Sequence, residues 1–261
     1  MEYCITKYIS EGSFGKIYKA VNLITKKKVI IKQENKQQNF LINEKKCYDI
    51  LSNTNITPLL FSFTQTENFN LLILEYYGKS LGYYIERSSL ITVYQKHNYT
   101  NLSIRESLSI AKQIITILYH LHTNNIIHRD IKPENFLLYN KQLKVKDFGL
   151  STIGNNFTST SKKINKKGNH AGTPRYVSVS GYNGFEQTYK DDFESAIYLI
   201  IYCFQGFLPW QNSIEIPIPK ENIKMEVLFE RTPSIFLNMF INNRKLANNN
   251  IPDYKNILKM I

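Results

Sequence analysis

The stretch His128-Arg129-Asp130-Ile131-Lys132-Pro133-Glu134-Asn135, with Asp147-Phe148-Gly149 a short distance on, gathers the side chains that moving a phosphoryl group needs. That reaction asks a protein for little covalent chemistry: a hydroxyl must be oriented and the charge on the phosphates neutralised. Asp130 is placed to accept or orient the proton of the attacking hydroxyl. Asn135 and Asp147 offer oxygen ligands for magnesium bridging the phosphates. Lys132 is expected beside the transferred group. An isolated Asp-Phe-Gly is a surface turn in most chains, but here the pattern is complete, lies between apolar segments and is followed by its partner motif.

Two upstream motifs supply the nucleotide side of the same chemistry. Ile9-Ser10-Glu11-Gly12-Ser13-Phe14-Gly15-Lys16-Ile17 has the form of a glycine-rich hairpin, in which missing Cβ atoms let backbone N–H groups approach the phosphates of ATP. Ser10 stands where the first glycine of such a loop usually lies. Val29-Ile30-Ile31-Lys32 is an apolar strand ending in a lysine that reaches the α- and β-phosphates. Helical periodicity over Phe40–Leu51 turns Leu41, Cys47, Tyr48 and Leu51 inward and sets Glu44 to pair with Lys32.

These residues must be held by two kinds of scaffold. From Tyr3 to Leu81, short apolar-polar alternations separated by turns predict antiparallel strands around that one helix. Leu71-Leu72-Ile73-Leu74 reads as a buried strand leading into Glu75-Tyr76-Tyr77-Gly78, a connection whose backbone, at Glu75 and Tyr77, is expected to hydrogen-bond adenine, with Leu137 as an apolar floor. Ser89–Leu102 reads as an irregular polar stretch. Ile104–His122 is helical through Ile110, Ile114, Ile115, Leu118 and Leu121, and that helix carries the catalytic loop.

The expected architecture is therefore α+β and bilobal, an antiparallel sheet lobe with one major helix followed by a mainly helical lobe. All 261 residues form one domain, with an N-lobe over about 1–75, a hinge at 76–79 and a C-lobe over 80–261. The longest apolar run, Ala196–Phe204, is well short of the ~18 residues that cross a bilayer, and the first residues begin no signal peptide. Three scattered cysteines, Cys4, Cys47 and Cys203, argue against a disulfide framework or a metal cluster. The expectation is a soluble, monomeric protein of the cytosol or nucleus.

The formal net charge of +12 raises the question of nucleic acid. The lysines are dispersed through Asn-, Ile- and Tyr-rich sequence, however, which reads as solvated surface, so nucleic acid is not the expected partner. Such a charge draws in acidic or phosphorylated protein substrates. Lys162-Lys163-Ile164-Asn165-Lys166-Lys167 is read as a solvated loop that helps dock them, and Thr158, Ser159, Thr160 and Ser161 beside it are candidate autophosphorylation acceptors.

With these motifs in place the chain resembles the eukaryotic protein kinases and, within them, the casein kinase 1 family. Gly172-Thr173-Pro174-Arg175-Tyr176-Val177-Ser178-Val179-Ser180 stands where most kinases carry Ala-Pro-Glu, a triplet that casein kinase 1 enzymes also lack. Gly184-Phe185-Glu186-Gln187, Asp191-Asp192-Phe193-Glu194-Ser195, Gly206-Phe207-Leu208-Pro209-Trp210-Gln211 and Pro252-Asp253-Tyr254 before a closing helix continue the likeness through essentially the whole chain. The resemblance implies an ATP- and Mg2+-dependent serine/threonine kinase. It gives Lys132 as the serine/threonine signature and Thr173 as a hydrogen-bond partner near Asp130 and Lys132. It further implies that Asp192 braces the catalytic loop and that Arg175 binds an anion beside the substrate.

Three departures stand out. Ile30 replaces a small residue over the adenine, Lys146 replaces an apolar residue before Asp147, and the segment between Trp210 and Glu226 is short and lacks the family's lysine-rich stretch. With Ser10 they motivate a rival reading, a catalytically weak pseudokinase scaffold. A small-molecule phosphotransferase of related fold is a second rival, opposed by the Gly172–Tyr176 segment, which has the character of a peptide platform.

Overall fold

The computed structural model describes residues 2–12, 15–85, 102–154, 162–211 and 220–261. Ser13 and Phe14 of the glycine-rich hairpin, nearly all of the Ser89–Leu102 stretch, Thr158–Ser161 and residues 212–219 of the short segment after Trp210 lie outside the described residues. The chain forms two compact units, one comprising Met1–Gly78 with Leu137–Ser151, the other Lys79–Phe136 with Thr152–Ile261.

The first unit is built on a five-stranded sheet with the order β1-β2-β3-β5-β4. Its strands are β1 (Tyr3–Gly12), β2 (Gly15–Asn22), β3 (Lys28–Asn35), β4 (Leu60–Gln65) and β5 (Phe69–Glu75), all paired antiparallel. Alternation along β3 sorts its two faces. Val29 and Ile31 join Ala20 and Ile73 in a buried cluster against Tyr3, Tyr18 and Leu71. Ile30, Lys32 and Glu34 take the opposite face, where helix α1 (Phe40–Leu51) packs with Leu41, Glu44, Cys47, Tyr48 and Leu51 buried. The apolar stripe read from the sequence is the one buried, and each such leucine contributes about 1.5–3 kcal/mol.

The second unit contains the short strands β6 (Lys79–Ser80), β7 (Ile126–Ile127) and β10 (Thr152–Ile153), the last two paired antiparallel. Strands β8 (Phe136–Tyr139) and β9 (Gln142–Val145) meet at Asn140-Lys141, whose positive φ values of 48° and 63° suit a two-residue hairpin turn.

Helices α2 (Ile104–Thr123) and α4 (Tyr189–Gln205) form the centre of the second unit. A reciprocal Ser103–Glu106 capping box starts α2, one residue from the expected boundary at its far end, and a Thr188–Asp191 box starts α4. The apolar run Ala196–Phe204 is thereby the middle of a helix buried on nearly every side, as an all-round apolar helix must be. Among the described residues, no helix is long and apolar enough to cross a membrane. Shorter helices α3 (Val179–Tyr182), α5 (Met225–Leu228), α6 (Ser234–Arg244) and α7 (Tyr254–Met260) complete the unit.

Candidate active site

Functional side chains fall into two groups, one in each unit. In the first unit the glycine-rich hairpin pairs Ser10 with Ile17, Glu11 with Lys16 and Gly12 with Gly15. Ile9, Ser10, Glu11 and Lys16 are exposed and Ile17 is half-buried. The two glycines serve different ends. A Cβ on Gly15, at φ 107°, would meet the Gln33 carbonyl oxygen at 2.0 Å, so the fold itself demands glycine there. A Cβ on Gly12 would meet nothing within 4 Å, so packing leaves that position open for approach from outside.

In register with Ile17, Lys32 is only 5% exposed, and its ammonium donates to both carboxylate oxygens of Glu44 at 2.7 and 2.9 Å and to Asp147 Oδ1 at 2.8 Å. Burial alone would lower its pKa, but the Asp147 and Glu44 charges more than offset this and hold it above the usual lysine range. Glu44 is equally buried, and burial pushes its carboxyl upward with Lys32 opposing. Asp147 sits at φ 75°, a left-handed conformation costing about 1–3 kcal/mol in a non-glycine residue.

Helix α1 helps to hold that turn. The Asn43 amide donates to the carbonyls of Phe148, at 3.0 Å, and Ser151, at 2.8 Å, and Tyr48 packs edge-on against the fully buried Phe148 ring. Lys146 places a second ammonium 3.8 Å from Asp147 Oδ2. Ile30 is half-buried on the Lys32 face and pairs with Leu74.

At the end of β5 the Glu75 carboxylate accepts from Leu59 N and Lys144 Nζ, and the Lys144 ammonium also lies 4.3 Å from the centre of the Tyr77 ring. Those side chains are thus engaged in the fold. Leu137 is half-buried.

In the second unit a carboxylate organises the loop ahead of Asp130. Asp192, 1% exposed on α4, accepts His128 N at 2.6 Å and Arg129 N at 2.8 Å, and Arg129 is held at φ 63°. Asp130 then meets three donors. Thr173 Oγ1 donates to its Oδ1 at 2.8 Å, Lys132 Nζ lies 2.7 Å from its Oδ2, and Asn135 Nδ2 donates to its Oδ2 and carbonyl at 3.1 and 2.9 Å. Lys132 also donates to Thr173 Oγ1 at 3.0 Å.

Because the Asn135 amide nitrogen is spent on Asp130, its oxygen Oδ1 is the atom suited to a hard cation. Among the described residues no three His, Cys, Asp or Glu side chains form a metal cage. The Asn135 amide oxygen in the second unit and the Asp147 carboxylate in the first are each oxygen donors of the kind a hard divalent cation takes.

Downstream, segment 172–179 is anchored from several sides. A Cβ on Gly172 would lie 2.2 Å from the Arg129 carbonyl oxygen, so the segment presses against the catalytic loop. Lys220, 7% exposed, donates to the carbonyls of Pro174 and Val177 and packs 5.0 Å from the ring centres of both Tyr198 and Trp210. Trp210 Nε1 donates to the Arg175 carbonyl at 2.8 Å, Ser178 Oγ to Asp191 at 2.6 Å, and Val179 N to Glu194, which Arg244 engages in turn. Burial pushes Lys220 down to about 7, with Glu194 opposing.

The basic run differs in part from the solvated loop expected. Its lysine side chains are exposed, but its backbone is pinned by Ile164 N and Asn165 N to Gly184 O and by Glu186 N to Lys162 O.

A family model described as the protein kinase domain matches residues 3–259. The chain belongs to the protein kinase domain family. The five-stranded sheet with its helix and the helical second unit are the two parts of the protein kinase fold. With that family comes phosphotransferase chemistry on protein substrates, using ATP and a divalent metal.

Of the residues picked from the kinase motifs, Lys32, Glu44 and Asp147 come together in the first unit, and Asp130, Lys132, Asn135 and Thr173 in the second. Asn43, Lys144 and Lys220 lie outside those motifs, because their partners are carbonyls or charges far away in sequence that no local motif announces.

Proposed function

We propose that this kinase domain is an active serine/threonine protein kinase of the casein kinase 1 type, using ATP and Mg2+. The observation that carries this reading is the set of hydrogen bonds joining Asp130, Lys132, Thr173 and Asn135. Two acceptor oxygens of one carboxylate are fixed by named donors, as a residue orienting a hydroxyl requires.

In the proposed reaction Asp130 takes the proton of a serine or threonine hydroxyl as that oxygen bonds to the γ-phosphorus, and the bond from phosphorus to the ADP oxygen breaks. Lys132 offsets charge on the transferred group, and Lys32, steadied by Glu44, holds the α- and β-phosphates. Asp147 and Asn135 would hold the magnesium, which neutralises phosphate charge when bound. The glycine-rich hairpin from Ile9 to Ile17 covers the phosphates, and the backbone at Glu75 and Tyr77, over Leu137, receives the adenine. On this reading residues 1–261 act as one catalytic domain, monomeric and intracellular, with 76–79 as its hinge.

Assignment to the casein kinase 1 type is supported by the Gly172–Ser180 sequence, in which anchoring falls to Lys220, Trp210, Asp191 and Glu194 without an Ala-Pro-Glu triplet. Acidic or phosphorylated substrates are favoured by the exposed lysines at 162, 163, 166 and 167, by Arg175 and by the net charge.

One observation favours the pseudokinase scaffold as a second reading: Asp147 faces the ammonium groups of both Lys32 and Lys146, which compete with a metal for its oxygens. A positional-scanning peptide array separates the readings. The proposal expects transfer to serine and threonine, enhanced by acidic or phosphorylated neighbours, with Arg175→Ala weakening that enhancement. Transfer to tyrosine or to small molecules alone, or none at all, contradicts it.

A further inference from the structure

The last helix carries a tyrosine that reaches the catalytic loop through two intermediaries. Tyr254, 2% exposed at the start of α7, places its hydroxyl 2.7 Å from Nδ1 of His122 near the end of α2. His122, fully buried, turns Nε2 toward Asp192 Oδ2 at 3.4 Å. Asp192 in turn accepts the backbone N–H groups of His128 and Arg129, immediately before Asp130. The chain of contacts is buried and walled by rings, with Tyr189 5.0 Å from the His122 ring and Phe193 5.9 Å from that of Tyr254.

The direction of the hydrogen bonds follows from donor chemistry. A carboxylate only accepts, so Nε2 carries the proton it shares with Asp192. In a neutral ring Nδ1 then has only a lone pair, and the Tyr254 hydroxyl donates to it. Burial holds the Tyr254 phenol well above its ordinary range, which keeps that proton in place. Tyr254 thereby selects the imidazole tautomer that can bond to Asp192. Arg129 needs this support, because at φ 63° it occupies a conformation that a non-glycine residue leaves when its restraints weaken.

We propose that Tyr254 and His122 are positioning residues for phosphoryl transfer: the closing helix sets the His122 tautomer, which aligns Asp192, which fixes the backbone that presents Asp130. The proposal rests on the kinase reading above. It assigns the closing helix a part in turnover although it bears none of the residues read as catalytic, nucleotide-binding or metal-binding.

Tyr254→Phe removes one hydroxyl and keeps the ring. Its kcat should fall about fivefold, as loss of a single orienting hydrogen bond predicts, while KM for ATP and for peptide stays within about twofold. Adding His122→Gln to Tyr254→Phe should lower kcat no further than His122→Gln alone, because both act along one line. Nitrogen-15 shifts of His122 in the wild-type protein should show the proton on Nε2, a reading that needs no variant. An Nδ1 proton in wild type, an unchanged kcat in folded Tyr254→Phe, or additive losses in the double variant overturn the proposal. Wild-type protein no more active than Asp130→Asn overturns the kinase reading, and the positioning role with it, whereas an active wild type with a silent Tyr254→Phe overturns the positioning role alone.

Discussion

The ammonium of Lys32 lies 2.8 Å from Oδ1 of Asp147 while it also donates to both oxygens of Glu44. One buried cation thus serves two carboxylates, and its charge is fixed by their combined field. A buried charge stripped of its partners is costly, so the three groups stand or fall as a set, but the two carboxylates are not equivalent for the lysine. Removing Glu44 leaves the ammonium on Asp147, whereas removing Lys32 leaves Glu44 buried without its cation and Asp147 with Lys146 alone, 3.8 Å away.

Lys32→Met should therefore lower kcat/KM by about two orders of magnitude with the fold retained, because the loss is electrostatic positioning. Glu44→Gln should cost about tenfold, expressed largely in KM for ATP. Steady-state kinetics on both variants checks the ranking. Equal losses would mean that the Asp147 contact contributes nothing to placing the lysine.

Gly172 should tolerate no side chain. Alanine there would put Cβ 2.2 Å from the Arg129 carbonyl oxygen at a φ of 89°. Gly172→Ala should lower stability by about 1–3 kcal/mol and depress kcat, since both the catalytic loop and the Thr173 contact to Asp130 must shift. Thermal melting and turnover measured together check this, and an unchanged pair of values would show that the segment moves freely past the loop.

Much of this arrangement was legible in the residues themselves. Strand β3, helix α1 and the Lys32–Glu44 pair follow from period and motif, because alternation and the 3.6-residue repeat report which face is buried. The bracing of His128 and Arg129 by Asp192, and the Thr173–Asp130–Lys132 contacts, agree with what the family resemblance implied. Lys220 was illegible: it lies in Pro-Lys-Glu-Asn, which reads as exposed loop, and its burial depends on carbonyls at Pro174 and Val177 and on rings at Tyr198 and Trp210. The Pro252-Asp253-Tyr254 triplet was visible as a helix start, but nothing local says that its tyrosine meets His122.

Lys220 should leave a signature in the dependence of stability on pH. Folding lowers its pKa from the ordinary 10.5 to about 7. Between those values the unfolded chain binds a proton that the folded chain does not, so this group makes stability rise with pH by up to about 1.4 kcal/mol per unit. Melting temperature should accordingly climb between about pH 7 and pH 9, and Lys220→Met should flatten the climb. A parallel rise in that variant would assign the effect to another group.

The central claim is that Asp130 directs transfer from ATP to a protein hydroxyl. Wild-type protein and Asp130→Asn, each incubated with γ-labelled ATP, magnesium and an acidic serine/threonine protein such as casein, test it most directly. The account predicts label on serine and threonine with wild type, and a loss of at least about two orders of magnitude in the variant. Equal labelling by both proteins, or none by either, would contradict it.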